Sequence, residues 1–86
     1  MTTKAVQVSL QEGVDARPMA MLVQVASQYE ASIYIEHKTK RVNAKSIMGM
    51  MTLALKNGDE VTVVTDGSDE DKAAEHIGNY LTGQIA

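Results

Sequence analysis

No cysteine occurs in the chain, which excludes disulfides, a thiolate nucleophile and cysteine metal ligation together, and leaves the fold to be held by packing alone. A reducing cytoplasm is the expected setting. Tryptophan and phenylalanine are missing too, so aliphatic residues and six methionines must fill the core and any apolar binding surface. Long apolar runs are absent: the longest, Met19 to Val23, is far below the roughly 20 residues that a membrane-spanning helix needs, and the stretch from Met1 to Lys4 has no signal-peptide character. Membrane association is therefore not expected. Nor is positive charge concentrated, because a formal net charge of −3 with scattered lysines does not supply the basic face that nucleic acid demands. The expected partners are proteins. His37 and His76 stand in different elements without ligand-spaced companions, so neither is assigned a metal or proton-transfer role, and both are expected at the surface. No cofactor and no catalytic residue is implied.

What is present suits one small domain over residues 1–86: 44% of the residues are apolar, enough for one core and too few for a second module. From Lys4 to Leu10 the pattern alternates, with Val6, Val8 and Leu10 on one side, as a half-buried strand requires, and Gly13 ends it. Met19, Leu22, Val23 and Ala26 then recur at helical spacing up to about Gln28, with Asp15 as the natural N-cap. The single proline, Pro18, falls in the first turn, where its missing N–H has no intrahelical partner to lose.

Ser32 to Glu36 alternate around Ile33 and Ile35, a polar turn follows at about His37 to Thr39, and Lys40 to Asn43 return as a hairpin partner anchored by Val42. Ser46 caps a short second helix from Ile47 to about Leu53, which ends before Lys56-Asn57-Gly58, a sequence suited to a left-handed C-terminal turn. Glu60 to Thr65 is a β-branched strand ended by Asp66-Gly67. Ser68 and the acidic run Asp69-Glu70-Asp71 then open and cap a third helix, whose inward stripe is Ala73, Ala74, Ile77 and Leu81. The predicted order is β-α-β-β-α-β-α, an α+β chain with an antiparallel sheet covered on one face.

Two segments carry a more specific signal. Gly13-Val14-Asp15-Ala16-Arg17-Pro18 resembles the Gly-x-His-Ala-Arg-Pro phosphorylation loop of HPr, the phosphocarrier family of the bacterial sugar phosphotransferase system. Asn43-Ala44-Lys45-Ser46-Ile47-Met48-Gly49 resembles the regulatory serine region of HPr proteins from low-GC Gram-positive bacteria. The resemblance runs from about Val6 to Leu81 and implies an open-faced β-sandwich, with four antiparallel strands and three helices on one side.

The departure is at position 15, where the family's phosphocarriers have histidine. Imidazole is neutral and nucleophilic near pH 7, and its phosphoramidate transfers readily. Asp15 is a carboxylate with an ordinary pKa of about 3.9, already anionic at that pH, so the ordinary relay is expected to fail. Family members that keep the serine region without the histidine exist in the Crh type, catabolite repression HPr, which has glutamine there. An HPr changed at this one position would read the same way. The Asp15 carboxylate is suited to capping the helix through the Arg17 N–H, and imitation of phosphohistidine and acyl-phosphate acceptance are the other two readings. Arg17 is expected to be solvated, to pair with Asp15, or to contact a partner's acid or the phosphate of a neighbouring phosphoserine.

On structure alone Ser46 is an N-cap. The resemblance implies more: phosphorylation by the ATP-dependent HPr kinase/phosphorylase, followed by binding to catabolite control protein A, a LacI-type repressor, as its corepressor. Two negative charges at a helix N-terminus meet free N–H groups, so the fold need not rearrange. Ile47, Met48 and Met51 can share a surface, with Met50 and Leu53 pointing inward, and the flexible, polarisable methionines suit a surface that fits several proteins. The alternative is that all are core. The expected function is thus non-enzymatic regulation of carbon catabolite genes, by a monomer or a strand-exchanged homodimer, with a phosphocarrier role through Asp15 as the competing reading.

Overall fold

Alternation in four segments builds one antiparallel sheet, in the order β1-β4-β2-β3, from β1 (Thr2–Gln7), β2 (Ser32–His37), β3 (Lys40–Asn43) and β4 (Glu60–Asp66). Helices α1 (Ala16–Ala26), α2 (Ile47–Thr52) and α3 (Glu70–Leu81) complete the predicted order. This computed structural model describes residues 1–10 and 16–83.

The register explains which face each residue takes. Val63 of β4 pairs with Lys4 on one side and Ile35 on the other, and Ile35 pairs in turn with Val42, which makes one inward row across the sheet. A second row runs from Thr2 through Thr65 to Ile33, and Val6 faces Val61 in a third. Ile33, Ile35, Val61 and Val63 enter one core cluster with Met19, Leu22 and Ala26 of α1, Met50 of α2 and Ala73, Ile77 and Leu81 of α3. Full burial of a side chain of this size contributes roughly 1.5–3 kcal/mol, which makes this layer the main source of stability. The other face is mostly polar, with Val64 buried beside Tyr34, and there Arg41 stacks its guanidinium 4.3 Å from the centre of the Tyr34 ring and lies 3.7 Å from Glu36.

Several expected boundaries shift, each for a local reason. The strand expected at Lys4 to Leu10 is displaced to Thr2–Gln7, because the Asn57 side chain takes over the backbone of Leu10, accepting from its N–H at 2.8 Å and donating to its carbonyl at 2.9 Å. Ser9 meanwhile donates to the Leu81 carbonyl at 2.7 Å. Val8 and Leu10 stay buried, and Val8 still bonds the Asp59 carbonyl and the Gly58 amide, so the inward pattern runs on past the strand. Helix α1 stops at Ala26 because the last turn tightens: Gln28 and Tyr29 donate to carbonyls three residues back. In α2 the left-handed residue after the helix is Ala54, at φ 50°, earlier than the expected Lys56-Asn57-Gly58.

The acidic run caps α3 through Glu70, which reaches back to the Gly67 amide, and not through Asp69. Asp69 sits at the N-cap position but makes no side-chain cap; its carboxylate accepts instead from the amides of Glu30 at 3.0 Å and Ala31 at 2.9 Å, joining the α1–β2 connection to the head of α3. These hydrogen bonds, led by the one from Glu30, hold the Asp69 carboxyl below its ordinary range. Gly67 makes that approach possible, since at φ +155° a side chain there would come within 2.6 Å of the Ala31 Cα. Glu70 accepts from the Gly67 amide at 3.1 Å, and the N-terminal ammonium lies 2.8 Å from its Oε2. The Thr2 hydroxyl lies 2.8 Å from Glu70 Oε2 and 2.6 Å from Asp71 Oδ1, and its one proton serves one of them at a time.

The histidines are not surface residues in the expected sense. The His37 side chain is 11% exposed and its Nε2 lies 3.4 Å from Asp59 Oδ2. Half-buried His76 meets the Tyr29 hydroxyl at 2.5 Å through Nδ1, with the two rings edge to face.

Candidate functional site

The chain leaves β3 through a side-chain-guided turn in which Asn43 Oδ1 accepts from the Lys45 amide at 2.8 Å and the Asn43 carbonyl from the Ser46 amide at 3.0 Å. That turn sets Ser46 at the head of α2 in extended conformation, φ −113° and ψ 116°, where its Oγ accepts from the Gly49 amide at 3.1 Å. Lys45 is drawn the other way, its Nζ donating to the Tyr29 carbonyl at 2.7 Å. Gly49 belongs to the packing here: a Cβ would stand 3.3 Å from Val42 Cβ, so its absence lets the first turn of α2 lie against β3. Ser46 itself is partly exposed.

Two faces of α2 separate cleanly. Met50 and Leu53 are buried, whereas Ile47, Met48 and Met51 are 39%, 77% and 44% exposed, which is too open for core residues. α1 packs against α2. It adds Met21, also exposed, so four apolar side chains project from one helix pair. Met21 was not singled out by the sequence because it falls inside the apolar run Met19 to Val23. Its signal was angular: two residues past Met19, it points about 200° away from that buried side chain.

Arg17 is exposed in the first turn of α1. The start of α1 is held from afar by Tyr80, whose hydroxyl donates to the Pro18 carbonyl at 2.8 Å. Asp15 lies outside the described residues, and with it the expected cap of α1 and any Asp15–Arg17 pair. The structure thus brings Ser46, Ile47, Met48 and Met51 together on one short helix and places Arg17 on another.

Comparison with known proteins agrees with this arrangement of elements. The family model described as the PTS HPr component phosphorylation site matches residues 2–82. The chain belongs to the HPr family. It is 41% identical over 85 residues to the HPr-like protein Crh of Bacillus subtilis strain 168, a match covering 99% of this chain and all of that one. A crystal structure of that Crh, described as a domain-swapped dimer, superposes with a TM-score of 0.80 at 41% identity over 100% of this chain and 99% of that chain. The Crh of Halalkalibacterium halodurans is 48% identical over 77 residues, covering 90% of this chain and 92% of its own. The phosphocarrier protein HPr of Bacillus anthracis superposes with a TM-score of 0.89 at 49% identity, covering 93% of this chain and 95% of that chain. The four-stranded antiparallel sheet with three helices is therefore the HPr fold, as the resemblance implied. Overall identity is similar to Crh proteins and to a phosphocarrier alike, so within the HPr family the function turns on individual residues.

Proposed function

We propose that this chain is a cytoplasmic, non-enzymatic regulator of carbon catabolite repression, phosphorylated on Ser46 by HPr kinase/phosphorylase and then acting as corepressor of catabolite control protein A. One observation carries the reading: a partly exposed serine hydroxyl opens the same short helix that presents Ile47, Met48 and Met51 to solvent. Phosphate there adds about two negative charges beside an apolar surface, so that a partner with basic groups and an apolar seat can recognise both. Arg17 contributes a cationic contact from α1, and the partner, not this acidic chain, touches DNA. The chain works as one domain, as a monomer or a strand-exchanged homodimer like that described for the Bacillus subtilis Crh.

Position 15 supplies the other half of the proposal. A carboxylate replaces the phosphocarriers' histidine, so the relay of phosphate between sugar-transport enzymes is not this chain's task. The competing reading, a phosphocarrier using Asp15, is favoured by the 49% identity to an HPr phosphocarrier. Two incubations separate them. With HPr kinase/phosphorylase and ATP, mass spectrometry should place one phosphate on Ser46, and binding to the repressor should then appear. With enzyme I and phosphoenolpyruvate no hydroxylamine-labile phosphate should form, and its appearance at Asp15 would move the chain to the phosphocarriers.

A further inference from the structure

At the far end of α2 from Ser46 the chain builds a cleft that the corepressor function does not use. It lies between the β2–β3 turn and the segment joining α2 to β4, has a volume of about 410 Å³, and is lined in part by Lys38, Lys40, Lys56, Leu53 and Ala54. That size falls within the range of small-molecule sites, roughly 300–1,000 Å³. Six helical residues at about 1.5 Å each put it roughly 9 Å along the helix axis from the serine.

Charge in the cleft runs against the charge of the protein. The chain as a whole is at −3, yet three lysines line this cleft beside a single carboxylate, Asp59. Its Oδ2 accepts from the Lys56 amide at 2.9 Å and lies 3.4 Å from His37 Nε2. Lys40 is directed along the cleft toward the end of α2, its Nζ 3.5 Å from the Thr52 carbonyl.

The backbone fixes the shape of the cleft. Among the described residues, the non-glycine positions at positive φ are Lys38, at 57°, and Ala54, at 50°, and both line this cleft. Lys38 is the first residue of a two-residue hairpin loop, a position that glycine, asparagine or aspartate fills more cheaply. Ala54 ends α2 and Lys38 turns the hairpin, so these two turns shape opposite walls of the cleft.

We propose that this cleft binds a small phosphorylated metabolite, with its phosphate held by Lys38, Lys40 and Lys56 and its carbon skeleton against Leu53 and Ala54. Lysine is a common point-charge binder of phosphate, and three of them match a dianionic group better than a single carboxylate.

The test is a nuclear magnetic resonance titration of the isotope-labelled full chain with inorganic phosphate, pyrophosphate and ribose 5-phosphate, each against sodium chloride at matched ionic strength. Saturable shifts confined to the amides of Lys38, Thr39, Lys40 and Lys56, with Kd of about 1 mM, are expected for the phosphate compounds. The exposed triple variant K38Q/K40Q/K56Q should fold normally and weaken binding by about tenfold or more. Ribose 5-phosphate binding at least as tightly as inorganic phosphate supports an organic ligand. Binding of inorganic phosphate alone, shifts spread over all lysines, or an unchanged Kd in the triple variant would each overturn the proposal. None of these readouts depends on Ser46 or on the repressor, so failure here and failure of the corepressor reading are distinguishable.

Discussion

Asp69 Oδ1 accepts the amide of Ala31 at 2.9 Å, across a gap kept open only because residue 67 is glycine. Through this contact the entrance to β2 and the head of α3 lock together, and two predictions concern the lock.

Gly67→Ala should destabilise the chain by about 1–3 kcal/mol, because the new methyl meets Ala31 Cα at 2.6 Å and Cβ at 2.9 Å, and backbone cannot swing aside as a side chain can. Urea unfolding of the variant measures the loss. A midpoint equal to that of the parent would show that the turn relaxes freely.

Acid should weaken the same region in a defined window. Glu70 is held at about 2 against its ordinary 4.5, first by the N-terminal ammonium and then by the Gly67 amide and the Thr2 hydroxyl, and Asp69 is held low by the Glu30 amide. Groups depressed on folding contribute fully above their ordinary values and lose that contribution as pH falls toward the folded one. Stability should therefore be flat from about pH 5 to about pH 7, decline toward pH 2 with a shallower decline in Glu70→Gln, and fall again above about pH 8 as the N-terminal ammonium, raised chiefly by Glu70, loses its proton. Added salt should flatten the curve too, since the ammonium partner is exposed. An acid limb unchanged by Glu70→Gln would remove the assignment.

Ser46→Ala should cost about 1 kcal/mol by freeing the Gly49 amide, besides abolishing phosphate transfer from ATP to this position by the kinase. Ser46→Asp keeps an acceptor at the cap and should recover most of that stability. Thermal melts of the three proteins provide the comparison, and equal melting temperatures in all three would mean that the cap contributes nothing.

Met48→Ser should leave stability nearly unchanged, because the side chain is 77% exposed, yet weaken binding of the serine-phosphorylated chain to the repressor about tenfold. Met50→Ala is the converse: a fully buried side chain whose truncation should cost about 2–5 kcal/mol. Calorimetric titration beside urea unfolding distinguishes the two. Loss of stability without loss of binding in Met48→Ser would assign that residue to the core.

Elements with strong periodicity were legible in the chain: the inward Ile33 and Ile35, the stripe Ala73, Ala74, Ile77 and Leu81, and the division of α2 between Met50 and its exposed neighbours all follow from spacing. What spacing could not give was contact across the chain. The Asn57 side chain ends a strand that alternation alone would continue to Leu10. Asp69 looks like a cap residue but accepts from the distant Glu30 and Ala31 amides, and Glu70 keeps the local Gly67 amide while also binding the amino terminus. His76 looks solvent-bound until Tyr29 arrives from the end of α1. In the site, the serine and the methionines were readable, while Met21 was hidden inside an apolar run and Lys45 gave no hint of its bond to the Tyr29 carbonyl.

The Asn57 and Tyr80 anchors have a consequence for how such a chain can change its trade. One grips Leu10 and the other the Pro18 carbonyl, so the two shoulders of the segment that carries residue 15 are fixed by parts of the molecule far along the sequence. Neither anchor uses a side chain of residue 15, so a substitution there removes no hydrogen bond that holds Leu10 or Pro18 in the frame.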